Sequence, residues 1–231
     1  NAAVLGAARA RRGRGRHVVT SAVEHPAVLE PCALLEEEGY RVTRVPVDAE
    51  GRVAPRDVAS ALTDETVLVS VMHANNEVGT MQDVAQIARL ARARGALVHT
   101  DAAQSAGKVP VDVGALGVDL LSLAGHKLYA PKGVGALWVR TGVAIDRFLL
   151  GAGHESGRRA GTENVAGIVA LGKACEVAGE RLAVDPPRLE ARRERLFEGL
   201  SREAPPVRRN SPREGCLPNT LSVAFRGLEA G

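Results

Sequence analysis

The sequence predicts an α/β fold, a mostly parallel sheet flanked by helices, followed by the start of a smaller α/β C-terminal domain. Two observations predict it. Short apolar strand patterns alternate with helical patterns along most of the chain, the arrangement that builds a parallel sheet through helical crossovers. After Leu182 the alternation breaks, where Pro186-Pro187 and then Pro205-Pro206 bracket a last helical pattern. Residues 1–182 are therefore expected to form a large domain, and 183–231 a linker helix with the beginning of a second, smaller one.

Taken in order, Asn1–Arg12 reads as the tail of a helix, stopped by the glycines at 13 and 15. His17–Ser21 is a short strand. Val28, Leu29, Cys32, Leu34 and Leu35 mark a helix that closes at Gly39, with Pro31 expected to kink or divide it. Strands follow at Tyr40–Val45 and Val67–Met72, separated by a short helix near Asp57–Leu62. Val84, Ile87, Ala88 and Ala91 recur on one face of an amphipathic helix that stops at Gly95. Further strands are expected at Ala96–Thr100 and Val118–Leu123, with a hairpin-like one at Val134–Val139. Helices over Val165–Arg181 and Leu189–Leu200 and a strand at Thr220–Phe225 complete the pattern.

With 231 residues the chain can bury a full core, and 45% hydrophobic with 25% charged residues is ordinary for a soluble protein. The net charge is only +3, and basic residues are scattered among nearly as many acids. That balance argues against a nucleic-acid partner. No apolar run approaches the roughly 20 residues needed to span a bilayer, and no secretory signal is present, so no membrane partner is expected. Cys32, Cys175 and Cys216 lie far apart and form no metal-binding or disulfide pattern, which fits a reducing cytoplasm. Cys32 and Cys175 fall on apolar helix faces, where buried, inert thiols are expected. The chain begins at Asn1 without a methionine and ends at Gly231 in polar sequence, and so reads as a piece of a longer protein.

Three polar clusters each follow an apolar strand directly. His73-Ala-Asn75-Asn76-Glu77 follows Val67–Met72, Asp101-Ala-Ala-Gln104 follows Ala96–Thr100, and Gly125-His126-Lys127 follows Val118–Ala124. In a parallel sheet all three open onto one edge, where ligands gather. Asp101 and Lys127 end consecutive strands one crossover apart, so a carboxylate and an amine can face one ring. A pyridine-aldehyde cofactor demands that pair: an amine for a Schiff base and a carboxylate to keep the ring nitrogen protonated.

Five ordered strings carry a resemblance: VEHPAVL (Val23–Leu29), NNEVGTMQ (Asn75–Gln82), HTDAAQSAGKVPVD (His99–Asp112), GHKLYAPKGVGAL (Gly125–Leu137) and GRRAGTEN (Gly157–Asn164). Together they resemble the class-V aminotransferase family, in its cysteine desulfurase and selenocysteine lyase branch, over nearly the whole chain. The resemblance implies pyridoxal 5'-phosphate as cofactor. It implies that Lys127 holds the cofactor and moves the substrate's α-proton, that Asp101 pairs with the pyridinium nitrogen, and that His25 stacks on the ring as a catalytic acid–base partner. Asn76 and Gln104 resemble side chains near the ring and its phenolic oxygen. His126 resembles a phosphate ligand, Thr162 one supplied across a homodimer interface, and Arg159 belongs to the same glycine-rich loop.

Two departures stand out. The family usually has a hydroxyl residue where this chain has Ala124, and that removes one phosphate hydrogen bond, about 1 kcal/mol net. The phosphate-binding loop expected before Asn1 is missing. So is the region beyond Gly231 that normally carries the nucleophilic cysteine and the arginine for the substrate carboxylate. The resemblance thus implies a cysteine desulfurase fragment, inactive by itself, whose parent removes sulfur from L-cysteine and passes a persulfide to an iron–sulfur scaffold or another acceptor. A selenocysteine lyase, a class-V aminotransferase and a non-catalytic partner-binding piece remain alternatives at this point. A dinucleotide-binding fold lacks support, because no G-x-G-x-x-G follows the first strand.

Overall fold

The computed structural model describes residues 1–204 and 206–228. Pro205 and residues 229–231, part of the Pro205-Pro206 break and of the polar C-terminal stretch, lie outside the described residues. The chain runs α1 (Ala2–Ala10), β1 (His17–Ser21), α2 (Pro26–Glu37), β2 (Arg41–Val45), α3 (Pro55–Ala61), β3 (Thr66–Ser70) and α4 (Val84–Ala93). It continues through β4 (Leu97–Asp101), α5 (Val113–Leu116), β5 (Leu120–Ala124), a 3₁₀ turn (Gly125–Leu128) and β6 (Gly135–Val139). Last come α6 (Val165–Arg181), α7 (Asp185–Glu203), β7 (Val207–Arg209) and β8 (Val223–Phe225).

The main sheet has the order β2-β1-β3-β4-β5-β6; its first five strands are parallel and β6 returns antiparallel to β5. Alternation along the strands divides the core between two helical layers. Val18, Leu68 and Leu120 pack with Val4 and Leu5 of α1 and Val28 and Leu35 of α2. Val19, Val69, Val98 and Leu121 pack on the other face with Val58 of α3 and Val84, Ile87 and Ala88 of α4. This is the α/β sheet flanked by helices that the sequence predicts.

Several expectations change in detail. Pro31 does not divide α2, which is continuous from Pro26 to Glu37. Proline has no N–H to give the carbonyl four residues back, that of Ala27. The Asn1 Nδ2 donates to that carbonyl at 2.8 Å and so repairs the gap. The helix expected over Leu189–Leu200 also starts earlier, since α7 begins at Asp185 and carries Pro186 and Pro187 in its first turn. Backbone N–H groups there have no helical acceptor, so their loss costs nothing.

Strand β7, with two arginines in three residues, has no apolar pattern to betray it; it pairs antiparallel with β8 in a separate two-stranded sheet. The segment between these strands is tied to the main body through Leu217 N to Gly79 O and Met81 N to Gly215 O, each 2.8 Å. On α6 only Gly167 and Leu171 are buried, and Cys175 is exposed rather than buried as expected. The helix touches the body through one narrow stripe, where Leu171, Ala174 and Ala178 meet Ala106, Leu128 and Ala130. A stripe that narrow leaves most of an apolar helix uncovered.

Two buried histidines cross-brace the sheet. His17 on β1 reaches Thr66 on β3 through Nδ1 (2.8 Å) and Thr43 on β2 through Nε2 (2.9 Å). His99 on β4 reaches Ser70 on β3 through Nδ1 and Ser122 on β5 through Nε2, each at 2.8 Å. Burial lowers the His17 ring to about 4 and the His99 ring to about 3, so both are neutral struts.

Replacing His99 by Leu leaves two inward-facing hydroxyls without their shared partner, and is expected to cost about 2–4 kcal/mol in urea unfolding. Because folding holds the ring below its ordinary value, wild-type stability falls as pH drops below about 6.5, and the variant loses part of that dependence. A cost under about 0.5 kcal/mol would contradict the bracing role.

Candidate functional site

Strand order reverses between β1 and β3. The chain leaves β1 toward β2 on one side, then returns past β1 to begin β3 on the other. Connections that depart in opposite directions open a crevice at the carboxyl ends of the two strands. A cavity of about 630 Å³ lies there, lined by the turns after β1 (22–26), β2 (48–51) and β3 (75–78), with Arg208, Asn210 and Ser222 closing it.

The walls of this crevice are held by side chains, because the ladder between β1 and β3 ends at Thr20 and Ser70. Asn75 is buried; its Oδ1 accepts from the N–H groups of Glu77 and Val78 (2.9 Å each), and its Nδ2 donates to Val23 O at 3.1 Å. One side chain thus locks the turn after β3 to the turn after β1. Beside it, Glu24 is also buried, and its Oε1 accepts from Ser21 Oγ (2.5 Å) and Met72 N (2.9 Å). Burial pushes the Glu24 carboxyl up to about 8, well above the usual carboxylate range, so it is a neutral acid at pH 7.

His25 follows directly. It caps α2 by accepting from Ala27 N at Nδ1 (3.1 Å), and it lines the cavity. Asn76, half-buried, lines the same cavity.

Asp101 and Lys127 come from adjacent parallel strands, β4 and β5, whose register pairs Asp101 with Ser122. Asp101 is half-buried at the end of β4 and accepts from Ala103 N at 2.8 Å through Oδ1, leaving Oδ2 free. Lys127 sits on the exposed side of the 3₁₀ turn that follows β5. That turn is compact because Gly125 lies against the β6 hairpin: a Cβ there would stand 2.7 Å from Val134 O. It ends at Tyr129, whose left-handed φ of 64° costs a non-glycine residue about 1–2 kcal/mol. His126 is exposed on the same turn, and Gln104 is half-buried in the loop after β4.

The site residues therefore gather at one sheet edge without sharing one cavity. His25 and Asn76 line the crevice just described. Lys127 lines a second cavity of about 660 Å³ between the 3₁₀ turn and α6, together with Lys108, and Asp101 lines neither of the two. Thr162 and Arg159 lie on the exposed loop between β6 and α6, where His154 and Arg159 bridge. Asn164 caps α6, accepting from Gly167 N at 3.0 Å.

Sequence reasoning missed Glu24, Asn75 and Lys108. Glu24 and Asn75 stand next to predicted site residues within two of the quoted strings, and their position at a strand's end was the available signal. Lys108 is no free surface lysine: its Nζ donates to Gln104 O at 2.9 Å, and burial first, then the neighbouring Lys127, lowers its pKa.

The donor set fits pyridoxal phosphate. An amine, a carboxylate with one free oxygen, imidazoles and carboxamides at one sheet edge match an aldehyde, a ring nitrogen, a ring face and a phenolic oxygen. Lys108 and Lys173 have partners in Gln104 and Glu176, whereas Lys127 has none among the described residues. Among the described residues no group of histidine, cysteine and acidic side chains could hold a metal ion, and no helix is long and apolar enough to cross a membrane.

A family model described as Aminotransferase class-V matches residues 1–231. The chain is 45% identical over 231 residues to the cysteine desulfurase IscS of Clostridium botulinum (strain Hall), covering 99% of this chain and 58% of that protein. Among solved structures, a NifS-like protein superposes with a TM-score of 0.92 at 40% identity, covering 96% of this chain and 61% of that one. SspA in complex with cysteine superposes with a TM-score of 0.85 at 36% identity, covering 98% and 63%. The chain thus spans about 58% of the length of the curated relatives it matches.

Replacing Asn75 by Ala removes three hydrogen bonds, two within the turn after β3 and one that ties it to the turn after β1. The expected cost is about 2–3 kcal/mol in denaturant unfolding, with faster amide exchange at Glu77 and Val78. Unchanged exchange at both amides would show that the turn holds itself.

Proposed function

Because the chain belongs to the class-V aminotransferase family, we propose that it is the cofactor-binding part of a pyridoxal-phosphate enzyme that removes sulfur from L-cysteine. The observation that carries this reading is the placement of Asp101 and Lys127 at the ends of adjacent parallel strands, beside the crevice that holds His25 and Asn76. Its relatives named cysteine desulfurase, and a similar structure that holds cysteine, support the substrate.

In this reading Lys127 anchors the cofactor, Asp101 keeps a proton on its ring nitrogen, and His25 covers one ring face. Asn76 and Gln104 flank the ring, His126 donates to the phosphate, and Thr162 reaches the phosphate of a partner subunit, with Arg159 in the same loop. When bound, the cofactor supplies an electron-accepting ring that stabilises negative charge at the substrate α-carbon. Lys127 takes the proton from that carbon and returns one later, so its amine must be unprotonated when it acts. The 3₁₀ turn after β5 carries this amine on its exposed side.

The overall conversion balances as cysteine plus a protein thiol giving alanine plus a persulfide. Within residues 1–231 no cysteine suits the role of that thiol. Cys32 is buried and its thiol is pushed up to about 11, Cys175 lies out on α6, and burial raises Cys216 as well. The exposed apolar residues Val165, Ile168 and Val169 of α6, close in sequence to the Thr162 loop, support a homodimer. A sulfur acceptor such as an iron–sulfur scaffold, and a cytoplasmic setting, complete the proposal.

Incubation with pyridoxal phosphate followed by borohydride is expected to label Lys127, seen by peptide mass spectrometry. Lys127→Ala should abolish the label, and Asp101→Ala should weaken cofactor binding at least tenfold. Label confined to another lysine would overturn the assignment. Residues 1–231 alone are expected to release no measurable sulfide from cysteine.

A further inference from the structure

Glu24 lies at the crevice with one carboxylate oxygen unaccounted for. Its side chain is buried, and its Oε1 is fully engaged by Ser21 Oγ and Met72 N. Its Oε2 is buried with no hydrogen-bond partner. An ionised carboxylate in that position would leave a desolvated charge uncompensated, whereas the neutral acid leaves only a hydroxyl to be satisfied. Glu24 also lines the cavity and lies near enough to Asp101 for the two carboxyls to repel.

We propose that Glu24 is a positioning residue of the cofactor site, held as the neutral acid, which ties the end of β1 to the end of β3 without placing a second anion beside Asp101. This rests on the cofactor reading above. The physical requirement is that like charges disfavour each other's ionised forms. A carboxylate at Glu24 would place a buried, unpaired negative charge beside Asp101, the residue proposed to face the ring nitrogen. The neutral acid keeps both hydrogen bonds to Oε1 without that charge.

The charged and titratable groups around Glu24 are few. Asp101 faces it from the end of β4 and Cys32 from α2. The same cavity is lined by His25, Asp48, Glu50, Glu77 and Arg208. No cation contacts its carboxyl among the described residues. The desolvation that pushes Glu24 up to about 8 is consistent with this geometry.

The test compares the wild-type chain with Glu24→Gln, which mimics the neutral acid, and Glu24→Ala, which removes both bonds. A carboxyl whose folded value exceeds its unfolded one makes folding less favourable as pH rises between the two. Between pH 5 and 8 the wild-type unfolding constant, divided by that of Glu24→Gln, should therefore rise by about tenfold per pH unit. For pyridoxal phosphate, followed by absorbance, Glu24→Gln should bind within about threefold of wild type at pH 7 and outbind it by several-fold at pH 9; Glu24→Ala should lose at least tenfold at both. A ratio that stays flat from pH 5 to 8, or a Gln variant that binds as poorly as the Ala variant, overturns the proposal. If no version binds the cofactor, the cofactor reading falls, and the positioning role falls with it, while a tilted ratio still shows the acid to be neutral.

Discussion

The carboxyl ends of β1 and β3 have to be held together by side chains, and the rest of the site hangs on that constraint. Two parallel strands at a reversal of strand order diverge once their ladder stops, and each then exposes backbone groups that a dry interior cannot leave unpaired. Thr20 Oγ1 takes Ser70 O at 2.9 Å, Glu24 takes Met72 N, and Asn75 takes Val23 O. Thr100 Oγ1 on β4 takes Val71 O at 2.8 Å in the same way. Each bond is worth about 1 kcal/mol net, but leaving its partner buried and unmade would cost more. The crevice is therefore a by-product of the topology, and polar residues make it permanent.

The same economy governs the buried titratable groups. His17 and His99 bridge three strands apiece and stay neutral because burial outweighs any gain from protonation. Glu24 is neutral for the mirror-image reason, since desolvation penalises its anion. At the sheet's carboxyl edge the remaining charge sits on groups that reach solvent at least in part, Asp101, Lys108 and Lys127 among them. Braces without charge leave the electrostatics of the edge to the residues proposed to meet the cofactor.

Much of this was legible in the sequence, and the exceptions have specific physical causes. Short apolar runs gave all six strands of the main sheet, most clearly at β1 and β3, which are buried along their whole length and so leave a continuous apolar signature. The boundaries of α6 were read to the residue. Strand β7 was invisible, being three residues long with arginine at two of them. That α2 runs unbroken through Pro31 was not legible, because the donor that repairs its gap, Asn1, is 30 residues distant and no local rule foresees it. At the sheet's carboxyl edge, the positions of Asp101 and Lys127 were legible because one ends an apolar strand and the other lies in the turn just after the next. The roles of Glu24 and Asn75 were not, because a buried polar residue and an exposed one look alike in a string of letters. Only the partners distinguish them.

Cys175 shows where an apolar pattern and burial part company. The periodicity of α6 is that of a packed helix, yet in a single chain its Val165, Ile168 and Val169 face outward and Leu171 is its one buried large side chain. The loop at 149–162 that precedes it is likewise exposed, with Leu150 80% accessible and Tyr129, on the turn that carries Lys127, 94% accessible. Single exposed apolar residues need no explanation, but a run of them along one helix and its adjoining loop does. The cavity that contains Lys127 is walled on one side by this same helix. A second copy covering that face, as proposed, would dry the surroundings of the amine and strengthen every electrostatic interaction it makes. The exposed apolar surface of one chain and the cavity that contains Lys127 thus both border α6, so the proposed second copy would bear on the lysine's surroundings through that helix.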